Sequence, residues 1–288
     1  MPHPETPEYL GNRSVAFGTM HGKESVVAPI LAEAFGMQIV VPEDIDTDTF
    51  GTFTREIDRA GNQLEAARKK ARAAMDLTGL DAGLASEGSF VSNPSLPFLV
   101  RNTEIIVYLD DRLGIEVVGH HTSPATNALS DRVTTVEEAL AFARSVGFPA
   151  HGIIARFNER SVRGMTKGIN DEERLRNVVA GMLRKPLVRS VFLETDMRAH
   201  HNPTRMENIA AATKDLVANL KSACPSCGCP GFVIREVKRG LPCEYCKLPT
   251  QLVLAEIRSC QRCNFQQERQ FPEGAEKAPQ EWCGYCNP

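Results

Sequence analysis

Four Cys-x-x-Cys pairs near the end of the chain are the residues whose spacing points most directly to chemistry. Two intervening residues let one tight turn aim both sulfurs at a single ion, and two such knuckles complete a tetrahedral shell. Four thiolates leave no open position for a water, so ions held in this way are structural rather than catalytic. The pattern predicts two structural zinc ions, bound by Cys224, Cys227, Cys243, Cys246, Cys260, Cys263, Cys283 and Cys286.

The spacing leaves the pairing of the knuckles open. Gaps of 15 residues after Cys227 and 19 residues after Cys263 are each long enough for a β-hairpin, so joining successive knuckles is the simplest arrangement. Crossed pairing fits the same spacing. Runs of β-forming residues over 231–240 and 251–258 predict strands between the knuckles, as in two zinc ribbons.

Two further features of this segment concern its occupant and its partners. Cys229 has no partner in such a pair. Cys224-Pro-Ser-Cys227 resembles a rubredoxin knuckle, so iron is an alternative to zinc. Residues 222–288 carry eight Lys/Arg and seven Asp/Glu. Because each four-thiolate zinc site adds a charge of about −2, the segment is acidic, which argues against nucleic acid. A protein partner or a homodimer formed through the ribbons is the expected contact.

A lysine-bearing glycine loop lies near the start of the chain. The short strand Ser14–Phe17 leads into 18–24, and a helical pattern follows over 25–35. A strand that ends in a glycine loop at a helix start offers free amides to phosphate, so Thr19 and Lys23 are candidate phosphate-binding residues. The spacing is not that of a Walker A loop, and an exposed surface lysine is the alternative interpretation.

The next helix and strand carry candidate acids. The pattern over 62–77 predicts a helix, and 80–90 predicts a strand. Glu65 on this helix and Glu87 on this strand are candidate magnesium ligands and catalytic carboxylates, and Lys70 is a third candidate for phosphate binding. On an ideal helix Lys70 points about 140° away from Glu65. Glu65 is otherwise a surface residue paired with Lys69.

The order of these three segments is similar to that of a known enzyme family. Thr-Met-His-Gly-Lys-Glu, Leu-Glu-Ala-Ala-Arg-Lys-Lys-Ala and Ala-Ser-Glu-Gly-Ser-Phe resemble, over residues 13–120, the loop, helix and strand of the inosine/xanthosine triphosphate pyrophosphatase superfamily. The resemblance implies that Thr19 and Lys23 hold the triphosphate and that Glu87 holds magnesium. Met20 and Ala66 replace asparagines usual in that superfamily. The whole chain also resembles an uncharacterised bacterial family with a C-terminal double zinc ribbon.

A second polar cluster lies in the middle of the chain. The predicted strand 190–194 ends in Glu-Thr-Asp-Met-Arg-Ala-His-His-Asn, before a helix that begins near Pro203. Ligands of α/β sheets bind at the carboxyl ends of strands. Asp196, Arg198, His200 and His201 are therefore candidates for substrate contact or a second metal, although such loops are often only solvated.

Composition sets the remaining expectations. The 288 residues predict two domains, and all nine cysteines follow residue 223, so we expect an α/β domain over 1–221 and a ribbon domain over 222–288. The predicted fold class is α/β, with a mixed sheet flanked by helices. The net charge is −3, and no run is apolar enough for a signal or a membrane span. Nine cysteines in such a chain favour metal binding in the cytoplasm.

Two classes of function follow from these patterns. The first is a magnesium-dependent hydrolase that splits a nucleoside triphosphate, deaminated or otherwise modified, and releases pyrophosphate. The second is a non-enzymatic nucleotide-sensing or adaptor protein whose ribbons bind protein or RNA. A metal hydrolase centred on His200 and His201 is a third hypothesis.

Overall fold

The computed structural model describes residues 7–43, 45, 62–93 and 96–288. The chain divides into two compact units: a larger α/β unit over 12–109 and 118–217, and a cysteine-rich unit that joins 218–288 to 110–117 and to residues up to 11. The helices are α1 (Pro7–Leu10), α2 (Glu24–Phe35), α3 (Gln63–Thr78), α4 (Val136–Ser145), α5 (Glu172–Leu183) and α6 (Pro203–Lys221); the strands are β1 (Ser14–Gly18), β2 (Gln38–Val40), β3 (Ala82–Asn93), β4 (Leu96–Asp110), β5 (Ile115–Ser123), β6 (Ser130–Val133), β7 (Ile153–Arg156), β8 (Thr166–Ile169), β9 (Val191–Thr195), β10 (Val233–Arg239), β11 (Val253–Ser259) and β12 (Gln266–Gln270).

A five-stranded sheet with the order β2-β1-β3-β4-β5 carries the first part of the α/β unit. Strand β1 pairs in parallel with both β2 and β3, and Gly18 lies opposite Ala85. Helix α3 packs closely on this sheet because two strand residues lack side chains: a Cβ at Gly18 would lie 2.4 Å from the carbonyl oxygen of Lys70, and one at Gly83 would lie 2.5 Å from Met75 Cγ. The predicted α/β class is confirmed, whereas the resemblance to the pyrophosphatase fold stays a prediction.

Helix α3 has well-defined ends. The Asn62 side chain accepts a hydrogen bond from the Glu65 amide at 2.9 Å, and the Glu65 carboxylate accepts one from the Asn62 amide at 3.1 Å. This is a capping box, which satisfies two otherwise unpaired amides at the helix start. At the other end Gly79 adopts a left-handed conformation, with φ 67°, and closes the helix. Alanines and Met75 on the inner face pack in the core against the sheet.

A second sheet of four strands, with the order β6-β9-β7-β8, forms the rest of the α/β unit. Its three pairings are all antiparallel. Apolar residues of α4 and α5 pack on one face of this sheet and form a separate core. The sequence predicted the strand β9 but not that it belongs to a second, separate sheet.

The cysteine-rich unit is built on the antiparallel sheet β10-β11-β12. A single strand occupies each interval between successive knuckles, instead of the hairpin that the sequence allowed. Because one strand crosses the sheet from end to end, successive knuckles lie at opposite ends. The simplest pairing, of successive knuckles, is therefore wrong, and the crossed alternative is correct.

No helix among the described residues is both long enough and apolar enough to cross a membrane.

Candidate functional site

The cysteine-rich unit gathers its eight paired cysteines into two groups of four. Cys224 and Cys227 lie with Cys260 and Cys263, and the four sulfurs are within 4.8 Å of one another. The second group has the same property and consists of Cys243, Cys246, Cys283 and Cys286.

The sulfur separations fit a tetrahedral ion. Cys224 Sγ lies 3.7 Å from Cys263 Sγ, and Cys246 Sγ lies 3.6 Å from Cys283 Sγ. A tetrahedral ion with metal–sulfur bonds of about 2.3 Å requires sulfurs about 3.8 Å apart. Each group could therefore bind one metal ion, and among the described residues no other set of three or more His, Cys, Asp or Glu ligand atoms is as close.

Each knuckle is shaped by a backbone turn. The carbonyl oxygens of Cys224, Cys243, Cys260 and Cys283 each accept a hydrogen bond from the amide four residues later, at 2.8–3.1 Å. Three of these donors have a positive φ: Gly228 with 71°, Lys247 with 65° and Asn264 with 60°. Cys229 is fully buried outside both groups, and burial raises the pKa of its thiol to about 11.

In the α/β unit, the end of β1 and the middle of β3 bring the predicted phosphate-binding residues together. Because β1 and β3 are parallel, the loop after Gly18 meets the continuation of β3 at Ser86 and Glu87. Lys23 is 6% exposed and donates a hydrogen bond from Nζ to the carbonyl oxygen of Ser86 at 2.9 Å. Lys70 reaches the same place from α3 and forms an ion pair with Glu87.

Lys23 is a buried cation without an ion-pair partner among the described residues. The pKa of its ammonium group is lowered to about 7, chiefly by burial and then by the charge of Arg205; Lys70 also lowers this pKa, whereas Glu87 and Glu104 raise it. Two buried hydroxyls lie on the segments that border it: Thr19 Oγ1 and Ser86 Oγ lack a hydrogen-bond partner within the described part of the chain. An unpaired buried hydroxyl is costly, so a polar ligand here is favoured.

Arg205 and Glu104 are site residues that the sequence analysis missed. They are almost fully buried and ion-paired, with Arg205 Nε 2.8 Å from Glu104 Oε1. Gly88 makes room for them, since a Cβ there would lie 2.2 Å from Glu104 Oε1. Glu104 could have been identified from the sequence as a charged residue within an apolar strand. Nothing in the sequence marked Arg205, which lies on the first turn of α6.

Glu65 lies apart from this buried arrangement. Its residue is exposed at the start of α3 and its carboxylate is part of the capping box, whereas Glu87 is 4% exposed. The difference follows from the helical spacing, because Lys70 takes the inward face of α3 and Glu65 lies about 140° away. The structure gives Glu65 a structural role, and a role in binding magnesium stays a prediction.

The second predicted cluster lies next to the first. Asp196 is fully buried and accepts hydrogen bonds from Arg198 Nε at 3.0 Å and from the Gly168 amide at 3.1 Å. Burial raises the pKa of Asp196, but the bonds and charge of Arg198 outweigh it and hold the pKa below its usual value.

A row of three imidazoles connects the two clusters. The ring centroids of His21 and His200 lie 5.1 Å apart, and those of His200 and His201 lie 4.1 Å apart. Burial, followed by the charges of Lys23, His200, Arg205 and Arg198, lowers the pKa of His21 to about 3. Burial also lowers the pKa of His201. His21 is therefore neutral at physiological pH.

Comparisons with known proteins give a family but no activity. Residues 70–288 match the family described as a domain of unknown function, DUF6671. No curated protein and no solved structure matches the chain. The matched segment begins at Lys70 and continues to the end of the second cysteine group, which is about three quarters of the chain. The chain therefore belongs to the DUF6671 family.

Proposed function

We propose that the α/β unit binds the phosphate groups of a nucleoside triphosphate where β1 ends beside the middle of β3. The observation that carries this proposal is Lys23, a buried ammonium group whose one hydrogen bond within the described part of the chain goes to the carbonyl oxygen of Ser86. Burying a charge that has no ion-pair partner is costly. Lys70 and Arg205 are paired with Glu87 and Glu104, so the three cations exceed the two carboxylates by one positive charge, which a phosphate would offset.

The neutral donors of the site support the same ligand. Thr19 and Ser86 each place an unpaired hydroxyl in a position that is at most 2% exposed. A phosphate accepts hydrogen bonds through several oxygens, so it can satisfy the hydroxyls and the cations together. The row His21, His200 and His201 adjoins this place and offers contacts for the nucleoside portion.

Hydrolysis of the bound triphosphate, with release of pyrophosphate, is the reaction that we propose. Glu87 follows Ser86, whose carbonyl accepts the Lys23 hydrogen bond, and in this proposal it orients the attacking water once Lys70 shifts from the carboxylate to the phosphate. Non-enzymatic nucleotide binding is the second candidate. It is favoured by the pairing of Glu87, Glu104 and Asp196 with Lys70, Arg205 and Arg198 respectively.

A preformed magnesium site does not fit the carboxylates as they stand. Glu65 is engaged in the capping box and Glu87 is paired with Lys70, so the two do not form a shared oxygen shell. The proposed reaction therefore has no step that involves magnesium. Whether turnover depends on magnesium is tested by measuring it with and without the ion.

For the two cysteine groups we propose zinc as the occupant. Four thiolates about 3.6–3.7 Å apart match a closed tetrahedral zinc site, and such a site is structural. Iron would take the same geometry, so metal analysis of the purified chain decides between them.

The test of phosphate binding uses the full chain with its metals. Lys23→Met should weaken binding of tripolyphosphate and of a nucleoside triphosphate about ten- to a hundredfold, the range expected for losing a charge-assisted hydrogen bond. Lys69→Met is the matched control, because Lys69 is the exposed neighbour of Lys70 on the same helix. Equal affinity of Lys23→Met and the unmodified protein would falsify the proposal.

Hydrolysis is measured separately. Pyrophosphate release from standard and deaminated nucleotides, with and without magnesium, should be abolished in Glu87→Gln while tripolyphosphate binding is retained. Binding without any pyrophosphate release would leave the non-enzymatic candidate. Unchanged turnover in Glu87→Gln would remove this residue from the mechanism.

A further inference from the structure

The two ends of the cysteine-rich sheet have the same ligand geometry but different surroundings. Each end holds two Cys-x-x-Cys knuckles, so four middle residues border each metal position. In the first group these are Pro225, Ser226, Gln261 and Arg262; in the second they are Glu244, Tyr245, Gly284 and Tyr285. The two ends can therefore be compared position by position.

The first end binds other segments of its own unit through these middle residues. The Gln261 side chain donates to the Glu116 carbonyl at 2.8 Å and accepts from the Glu116 amide at 3.1 Å. The Arg262 guanidinium lies 5.6 Å from the centre of the Tyr9 ring, and Tyr9 Oη donates to the Cys227 carbonyl at 3.4 Å. A knuckle of this design thus serves as a docking surface within the molecule.

The second end presents large aromatic side chains to solvent at the corresponding places. Tyr245 is 75% exposed and Tyr285 is 69% exposed, and the one tryptophan of the chain, Trp282, is 62% exposed beside Cys283. Exposed tryptophan and tyrosine that surround one rigid site are typical of interaction surfaces.

This surface carries two carboxylates, Glu244 and Glu281, and one neighbouring cation, since Lys247 Nζ donates a hydrogen bond to the Glu244 carbonyl. Glu244 and Glu281 line a pocket of about 510 Å³ together with Pro279, Gln280, Cys286 and Asn287. Backbone contacts hold the pocket in place, since the Glu244 amide donates to the Ala278 carbonyl at 2.9 Å and the Gln280 amide donates to Glu244 Oε1 at 3.3 Å. A zinc ion with four thiolates would add about −2 to the local charge.

We propose that the second cysteine end is a docking site for an arginine- or lysine-bearing peptide segment of a partner protein. The guanidinium or ammonium groups would lie over the faces of Tyr245, Tyr285 and Trp282, with Glu244 and Glu281 neutralising them. Single-stranded nucleic acid also stacks on exposed aromatics, but its phosphates would be repelled by the two carboxylates and the thiolates. The proposal rests on the occupancy of this group by zinc and is independent of phosphate binding by the α/β unit.

The tryptophan provides a direct readout. We would titrate the full zinc-loaded chain with a capped heptapeptide of alternating glycine and arginine and follow the fluorescence of Trp282. A saturable change is expected, and it should weaken about fivefold or more in Tyr245→Ser/Tyr285→Ser. Val237→Ser, which changes an exposed apolar residue of β10, is the control and should bind like the unmodified chain.

Other ligands and self-association are tested as well, and a positive result with them would contradict the proposal. Saturable binding of a matched glutamate peptide or of oligothymidine instead of the arginine peptide would overturn it, as would self-association that the two tyrosine substitutions abolish. Metal content is measured for every variant and should remain at two ions. If the tyrosine variant loses an ion, Glu244→Gln/Glu281→Gln tests the same site through its charge alone, and unchanged affinity for the arginine peptide in that variant overturns the proposal.

Discussion

The imidazoles of His21 and His200 lie 5.1 Å apart between ring centroids, although 178 residues separate them in the chain. His21 belongs to the loop after β1, and His200 belongs to the short helical turn Ala199–His201 after β9. Two polar segments that the sequence presents as separate clusters thus adjoin in one unit. Any ligand held by Lys23 lies close to both.

This adjacency predicts a selective effect of His200→Ala. If the imidazole row contacts the nucleoside, the substitution should weaken nucleoside triphosphate binding several-fold and leave the affinity for tripolyphosphate nearly unchanged. His120→Ala is a matched control, because His120 is an exposed histidine on β5. Isothermal titration with both ligands measures the difference. Equal weakening for the two ligands would show that His200 acts on the phosphates.

A second prediction concerns pH. The pKa of Lys23 is lowered to about 7, chiefly by burial and by Arg205, so the free site loses its charge as the pH rises above that value. A bound anion favours the ammonium form and raises its pKa. Affinity for tripolyphosphate should therefore fall as the pH rises from about 7 to 9, by at most about tenfold per unit, with proton uptake on binding.

The measurement is titration calorimetry in two buffers of different ionisation enthalpy. Burial lowers the pKa of His21 to about 3 and also lowers that of His201, so Lys23 is the group whose lowered pKa falls at the start of this range. Lys23→Met should bind weakly at every pH and show no proton uptake. An affinity that rises with pH in the unmodified protein would contradict the assignment of Lys23 as the anion-binding cation.

A third prediction distinguishes the role of Glu65 from that of Glu87. Glu65 completes the capping box of α3, so Glu65→Ala should lower the free energy of unfolding by about 0.5–1 kcal/mol and leave tripolyphosphate affinity unchanged. Urea denaturation and titration of the same sample test both parts. Asn62→Ala serves as a comparison that removes the same cap from the other side. If Glu65→Ala loses binding or turnover and Asn62→Ala does not, Glu65 is a residue of the binding site.

Local patterns predicted much of the α/β unit. Helix α3 occupies 63–78 where the apolar period predicted 62–77, because its alanine face, its asparagine cap and the glycine after it all agree. Lys23, Lys70 and Glu87 lie near Thr19, where β1 ends beside the middle of β3. The neutralisation of Glu87 by Lys70 was not predictable, since this pairing depends on how closely α3 approaches Gly18.

The pattern of apolar residues did not predict the strand β12, because this strand has no buried face. Every residue of β12 is exposed, so its five polar side chains show no alternation, and only its backbone pairing with β11 makes it a strand. The omission of β12 also explains the wrong order of knuckles. With three single strands in place of hairpins, the first and third knuckles fall at one end of the sheet and the second and fourth at the other.

That crossed order predicts the metal content of paired substitutions. Cys227 and Cys263 belong to one group, so Cys227→Ser/Cys263→Ser should disable a single site and retain one ion per chain. Cys227→Ser/Cys246→Ser removes one ligand from each group and should retain none, or two ions only weakly held. Joining successive knuckles reverses both results, because Cys227 and Cys246 would then share an ion. Plasma emission analysis after dialysis against a mild chelator distinguishes the two orders, and the intact chain, with two ions, is the reference.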